Sequence, residues 1–209
     1  MMMRSSIRFV RAAAVVLGAA VFCPLLAEEK SPPPSPEAQD SGGYQEAFMK
    51  RAIEIARTAL TKPGTEPFGA VIVRNGEIVG EGLSQALTAL DVTSHGEIEA
   101  IRDANRRLKR LDLSDCEIYT TCEPCPLCVA AIGIARLKKM YYAASLDQAG
   151  VAFAVLPPNG RFPVDVDQLI ADERTTVGER QLPAEQKLDV ESFEVLQAWA
   201  LERKAALAK

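Results

Sequence analysis

Cys125 and Cys128 stand three residues apart, just after a proline, in the run Cys122-Glu123-Pro124-Cys125-Pro126-Leu127-Cys128. Proline is well placed in the first turn of a helix, where its missing N–H is no loss. A helix opening at Pro124 would project both sulfurs from one face of that turn. Free N–H groups and the positive end of the helix dipole favour thiolate over thiol there. Such a pair chelates a metal, and a third ligand is needed. His95 is the one histidine in the chain, and Glu97, two residues on, offers a carboxylate able to reach a fourth, open position. One His, two Cys and a water describe a catalytic zinc site, because a structural site fills all four positions with protein. The chain must therefore fold so that residue 95 meets residues 125 and 128.

Periodicity supplies the frame for that meeting. Apolar residues at Tyr44, Phe48, Ala52, Ile55, Ala56, Ala59 and Leu60 predict a helix over 44–60, which Lys62-Pro63-Gly64 stops. Continuous apolar residues over 68–73, the two-residue turn Asn75-Gly76 and a second run over 78–83 predict a hairpin. Residues 84–94 lack periodicity and read as a loop. From His95 a helix is expected with Ile98, Ile101, Ala104 and Leu108 inside, and with Arg102, Arg106, Arg107 and Lys109 as a solvated face. A third strand follows over 117–121. A third helix over 124–137, apolar nearly all round from Val129 to Ala135, should be buried. A fourth strand follows over 140–144. Helix, hairpin, helix, strand, helix, strand implies an α/β fold with helices on both faces of a sheet. Beyond Gly150 the signals weaken: a proline-containing loop over 156–164, a short helix over 166–171, an extended or turn segment over 175–178 and a C-terminal helix over 191–208.

The N-terminus carries Arg4, Arg8 and Arg11, then an almost wholly apolar stretch from Ala12 to Leu26. That is about the length of a signal-peptide core and short for a membrane span, so an export signal over 1–27, cleaved after Ala27, and a periplasmic or secreted enzyme are expected. An uncleaved anchor is the alternative. Residues 28–43, with Ser31-Pro32-Pro33-Pro34-Ser35-Pro36 and Ser41-Gly42-Gly43, read as a disordered linker, which leaves the folded domain at 44–209. The formal charge of −4 becomes −7 without residues 1–27, at 21 basic against 28 acidic side chains. That balance argues against a long nucleic acid as partner, since phosphates are held mainly by Lys and Arg, and favours a small neutral one. Cys116, Cys122, Cys125 and Cys128 are an even set that a disulfide framework would also use. Three of them within seven residues suit chelation better than a staple closing a long loop.

His95-Gly96-Glu97 with Pro124-Cys125-x-x-Cys128 matches the signature H-x-E followed by P-C-x-x-C of zinc-dependent base deaminases. Together with Pro67-Phe68-Gly69-Ala70-Val71-Ile72-Val73, Ile118-Tyr119-Thr120-Thr121 and Tyr142-Ala143-Ala144, it makes residues 44–153 resemble the cytidine-deaminase-like superfamily. Within that superfamily the nucleobase and tRNA-adenosine deaminase branch is nearest, above all the bacterial guanine deaminases. The resemblance implies a three-layer α/β/α fold with a mixed central sheet, and zinc on His95, Cys125 and Cys128. It implies that Glu97 takes a proton from the attacking water and delivers protons to the ring nitrogen and the leaving amine. Backbone N–H groups near Gly96 and Cys125 would then contact a small heterocyclic base, guanine first, with cytosine, adenine or a pterin as alternatives, and Phe68 would wall or stack on its ring. Ser84 stands where the family usually has an Asn that contacts the base, and Asp147 falls where guanine deaminases place an acid that contacts the purine. A homodimer is what the family suggests, and a zinc-bound module without catalysis is the reading from a different class.

Overall fold

The computed structural model describes residues 43–157, 165–182 and 184–207, all within a compact unit spanning Pro36–Lys209. The expected export signal over 1–27 and nearly all of the linker over 28–43 lie outside the described residues. In chain order the elements are α1 (Glu46–Arg57) with a 3-10 turn (Thr58–Thr61), β1 (Glu66–Arg74), β2 (Glu77–Ser84), α2 (Ala86–Ala89), α3 (Gly96–Leu108), β3 (Glu117–Cys122), α4 (Pro126–Ile134), β4 (Lys139–Ala144), α5 (Leu146–Phe153), α6 (Val166–Glu173), a 3-10 turn (Val177–Glu179) and α7 (Asp189–Leu207).

The four strands form one mixed sheet in the order β2-β1-β3-β4. β1 runs antiparallel to both β2 and β3, while β3 and β4 are parallel. Asn75 and Gly76, both at positive φ, close the β1–β2 hairpin. Alternation along the strands splits the core in two. Val71, Val73 and Tyr119 pack under α1 against Phe48, Met49, Ala52 and Ile55. Ala70, Ile72 and Ile118 face the other way, against Ala100, Ile101 and Ala104 of α3. Helices therefore cover both faces of the sheet, as the order of elements in the sequence requires. The arginines of α3 form solvated ion pairs, Arg102 with Glu99 at 2.6 Å and Arg107 with Asp103 at 2.8 Å.

Three expectations change. Residues 84–94 contain the short helix α2. The third helix begins at Pro126, not Pro124, with Cys125 as its extended N-cap at φ −68°, ψ 167°, because a residue that precedes proline is driven out of the helical region. And α4 is buried on one side only: Ala131, Ile132 and Ala135 pack on the core, whereas Leu127 is 38%, Val129 52% and Ile134 83% exposed. Residues 146–153, to which the periodicity assigns no element, form α5 behind a capping box. Ser145 accepts from the Gln148 N–H at 3.1 Å, and Gln148 Oε1 accepts from the Ser145 N–H at 2.8 Å. The C-terminal helix stands as expected, at Asp189–Leu207.

The seating of α3 on β2 sets where His95 and Glu97 arrive. A Cβ added at Gly82 would lie 2.1 Å from the Gly96 carbonyl oxygen, so only glycine admits the first turn of α3 this close. Gly82→Ala is expected to destabilise the fold by about 3 kcal/mol and to misplace the first turn of α3. Urea unfolding, with metal content measured alongside, checks both effects.

Candidate metal centre and base cavity

His95 is the N-cap of α3, and Cys125 is the N-cap of α4. With Cys125 extended before Pro126, its sulfur and that of Cys128, one turn into the helix, turn toward the same point. His95 Nδ1 lies 3.5 Å from each sulfur, and the two sulfurs are 3.8 Å apart. The three side chains are the one group among the described residues arranged to hold a metal ion. A tetrahedral zinc with its usual bond lengths would set an S···S distance of about 3.8 Å and N···S distances of about 3.6 Å. The donor set therefore fits zinc. A disulfide, at about 2.05 Å between sulfurs, does not fit, and Cys116, Cys122, Cys125 and Cys128 are all free thiols.

The electrostatics of the triangle follow from burial and from sharing. The hydrogen bond shared with Cys128 pulls the Cys125 thiol down to about 4; burial opposes this and His95 assists it. The same sharing, with burial and the nearby Glu97, pushes the Cys128 thiol up. The sulfur pair thus keeps one proton that a cation would displace. The hydrogen bond to Cys125 raises His95 above the ordinary imidazole range, against burial.

Glu97, in the first turn of α3, is only 5% exposed. Its Oε1 accepts from Thr120 Oγ1 at 3.1 Å, and its Oε2 lies 3.5 Å from Cys128 Sγ. Burial raises its pKa above the ordinary carboxylate range, with the hydrogen bonds opposing. A carboxylate in such a place both takes and returns a proton readily.

A cavity of about 1080 Å³ opens over the triangle. His95, Glu97, Phe68 and Asp147 line it, together with Glu66, Glu123 and Phe153. Phe68 and Phe153 meet edge to face, with centroids 5.7 Å apart. Ser84 is fully buried and does not line the cavity; its hydroxyl donates to Glu66 Oε2 at 3.5 Å, and Glu66 does line it. Gly96 is buried against β1, where an added Cβ would lie 2.4 Å from the Phe68 carbonyl oxygen. Cys122 lines the cavity without joining the metal-ligating group. Glu66 and Thr120 have no signal of their own in the sequence, whereas Glu123, inside the cysteine run, lies at the site's edge as its place in that run suggests. The pattern Ser145-x-x-Gln148 does mark the start of a helix, and it would have carried Asp147 and Phe153 to the cavity wall.

The family model described as the cytidine and deoxycytidylate deaminase zinc-binding region matches residues 43–144. The guanine deaminase of Bacillus subtilis is 45% identical over 107 residues, which is 51% of this chain and 69% of that protein. A tRNA-specific adenosine deaminase of Agrobacterium fabrum is 34% identical over 147 residues, 68% of this chain and 95% of the relative. The X-ray structure of the Bacillus subtilis guanine deaminase superimposes with a TM-score of 0.66 at 36% identity, covering 76% of this chain and 94% of the other.

The protein is expected to bind one zinc ion per chain, and Cys125→Ser to bind none under the same dialysis. Protons compete with the ion at His95 and Cys128, both held above their ordinary pKa, whereas Cys125 is already ionised at neutral pH. Lowering the pH therefore weakens binding, about tenfold per unit for each proton displaced. Chelator competition at pH 6 and pH 8 measures this slope.

Proposed function

The chain belongs to the cytidine and deoxycytidylate deaminase family of zinc-dependent hydrolases, and we propose that it is a hydrolytic deaminase of a free nucleobase, guanine before others. The observation that carries this is the charge of the cavity. Glu66, Glu97, Glu123, Asp147, Asp165 and Asp167 line it, with no Lys or Arg among its described lining residues. A phosphate, let alone a tRNA, would enter against that field. An uncharged planar base carrying N–H donors enters with it. Both guanine deaminase and tRNA-specific adenosine deaminase relatives exist, and the acidic cavity favours the former. Export, expected from the basic and apolar residues 1–27, would also keep the enzyme away from tRNA.

His95, Cys125 and Cys128 would hold the zinc, which when bound lowers the pKa of a coordinated water toward neutrality. The other parts of the reaction fall to this chain's side chains. Glu97 accepts the proton of the attacking water. The oxygen adds to the amidine carbon that carries the exocyclic amine, and Glu97 returns the proton to the adjacent ring nitrogen. A second transfer through Glu97 protonates the amine, the C–N bond breaks, ammonia leaves and a carbonyl remains. Phe68 and Phe153 wall the flat ring, and Asp147 and Glu66 accept from its N–H edge. Backbone N–H groups at Gly96 and Cys125, both at helix starts, are donors for its carbonyl.

The uncovered apolar side of α4 supports association of two copies. Leu127, Val129 and Ile134 are exposed there, and Tyr142 of the neighbouring strand is 49% exposed. Large exposed apolar side chains gathered on one element mark an interface more often than isolated ones do.

Wild-type protein loaded with zinc is expected to release ammonia from guanine, while Glu97→Gln keeps its zinc and loses at least about a hundredfold in kcat/KM. A coupled ammonia assay on a panel of bases, nucleosides and an unmodified tRNA checks both the reaction and the class of substrate. Equal ammonia release by the two proteins, or none from any base, would contradict the proposal. Sedimentation equilibrium is expected to show a dimer that Ile134→Lys shifts toward monomer.

A further inference from the structure

Glu97 has three side-chain torsions, and within α3 its carboxylate meets only its own backbone N–H. A side-chain hydroxyl from β3 supplies a further anchor. Thr120 is 1% exposed, and its Oγ1 donates to Glu97 Oε1 at 3.1 Å. The same hydroxyl lies 3.2 Å from the Cys122 carbonyl oxygen, at the end of the strand that leads to the two cysteine ligands. At this position β3 is paired on both sides, with Ala70 of β1 and with Tyr142 of β4. A β-branched side chain has a stiff χ1, so on a strand held from both flanks the hydroxyl is a fixed point. Glu97 Oε2, by contrast, lies on the side of the metal triangle, 3.5 Å from Cys128 Sγ.

We propose that Thr120 is a positioning residue for the deamination, and that it divides the labour between the two oxygens of Glu97. This rests on the function proposed above. Oε1 stays engaged with β3, and Oε2 is the oxygen that takes the proton of the attacking water and delivers it to the ring nitrogen and then to the amine. Without the hydroxyl the carboxylate remains buried in the same place but loses its anchor to β3. Oε2 then spends less of its time in line with the reacting atoms, a loss that falls on the chemical step and not on binding. A threonine needed only for the fold would tolerate valine, which has the same shape and suits a central strand at least as well.

The full-length, zinc-loaded protein and its Thr120→Val and Thr120→Ser variants would be compared on guanine. Steady-state kinetics, zinc content and thermal midpoint are the readouts. Thr120→Val is expected to keep one zinc per chain, a midpoint within a few degrees of wild type and a KM within about threefold, while kcat falls at least about tenfold. Thr120→Ser, which restores the hydroxyl, is expected to return kcat to within about threefold of wild type. Wild-type kcat in Thr120→Val would overturn the inference and leave the proposed function standing. So would a rise in KM at unchanged kcat, which makes Thr120 a binding residue, or a loss of zinc in Thr120→Val, which makes it a support of the ligand strand. A wild-type enzyme inactive on every base would overturn the proposed function, and this inference with it.

Discussion

Three ligand atoms, with sides of 3.5, 3.5 and 3.8 Å, form the triangle around which this molecule is arranged. Two of the three sit just outside a regular element, and the third lies in a first helical turn. His95 caps α3 and Cys125 caps α4, and Cys128 lies one turn into α4. Helix starts offer unpaired N–H groups and a positive field, which is where thiolates are stable. The triangle closes only because two backbone constraints act together. Proline at 126 keeps Cys125 extended, and glycines at 82 and 96 let α3 lie almost in contact with the hairpin backbone. With three protein donors converging beside a buried carboxylate, a zinc ion held there would keep one position for solvent.

Much of this is legible in the sequence, because the determinants are local. The spacing of the cysteines, the proline beside them, and a histidine two residues before a glutamate can be read from a few consecutive positions. The alternation of apolar runs fixes the sheet and its two helical layers for the same reason. What escaped was set by tertiary context. An apolar run such as 129–135 has the same composition whether it lies in a core or on an open rim. Its partial exposure depends on which of its side chains meet the core, as Ala131, Ile132 and Ala135 do. Pro124 and Pro126 each suit a helix start, and the choice between them depends on which cysteine must remain extended. Thr120 looks like any strand threonine until α3 brings Glu97 beside it. Glu66 and Ser84 are eighteen positions apart, and only the β1–β2 register makes them neighbours.

The cavity combines parts with different degrees of specificity. The metal triangle and Glu97 give a general chemistry, removal of an amino group from an amidine carbon. The walls narrow it. Two phenylalanines inclined at 65° would wall a flat ring, and a lining rich in carboxylates would favour N–H donors over phosphate. Outside the cavity, α4 and α7 present apolar side chains to solvent, among them Ile134, Phe193 and Trp199. Such surfaces are costly to leave open.

The central claim is that the protein supplies three ligands and keeps one corner open, and X-ray absorption at the zinc edge tests it most directly. The account expects two sulfur scatterers at about 2.3 Å and two nitrogen or oxygen scatterers at about 2.0–2.1 Å, with one light scatterer exchanged when a transition-state analogue of the base is added. A shell of three sulfurs, with Cys122 recruited as the fourth protein ligand, would close the corner and contradict the account.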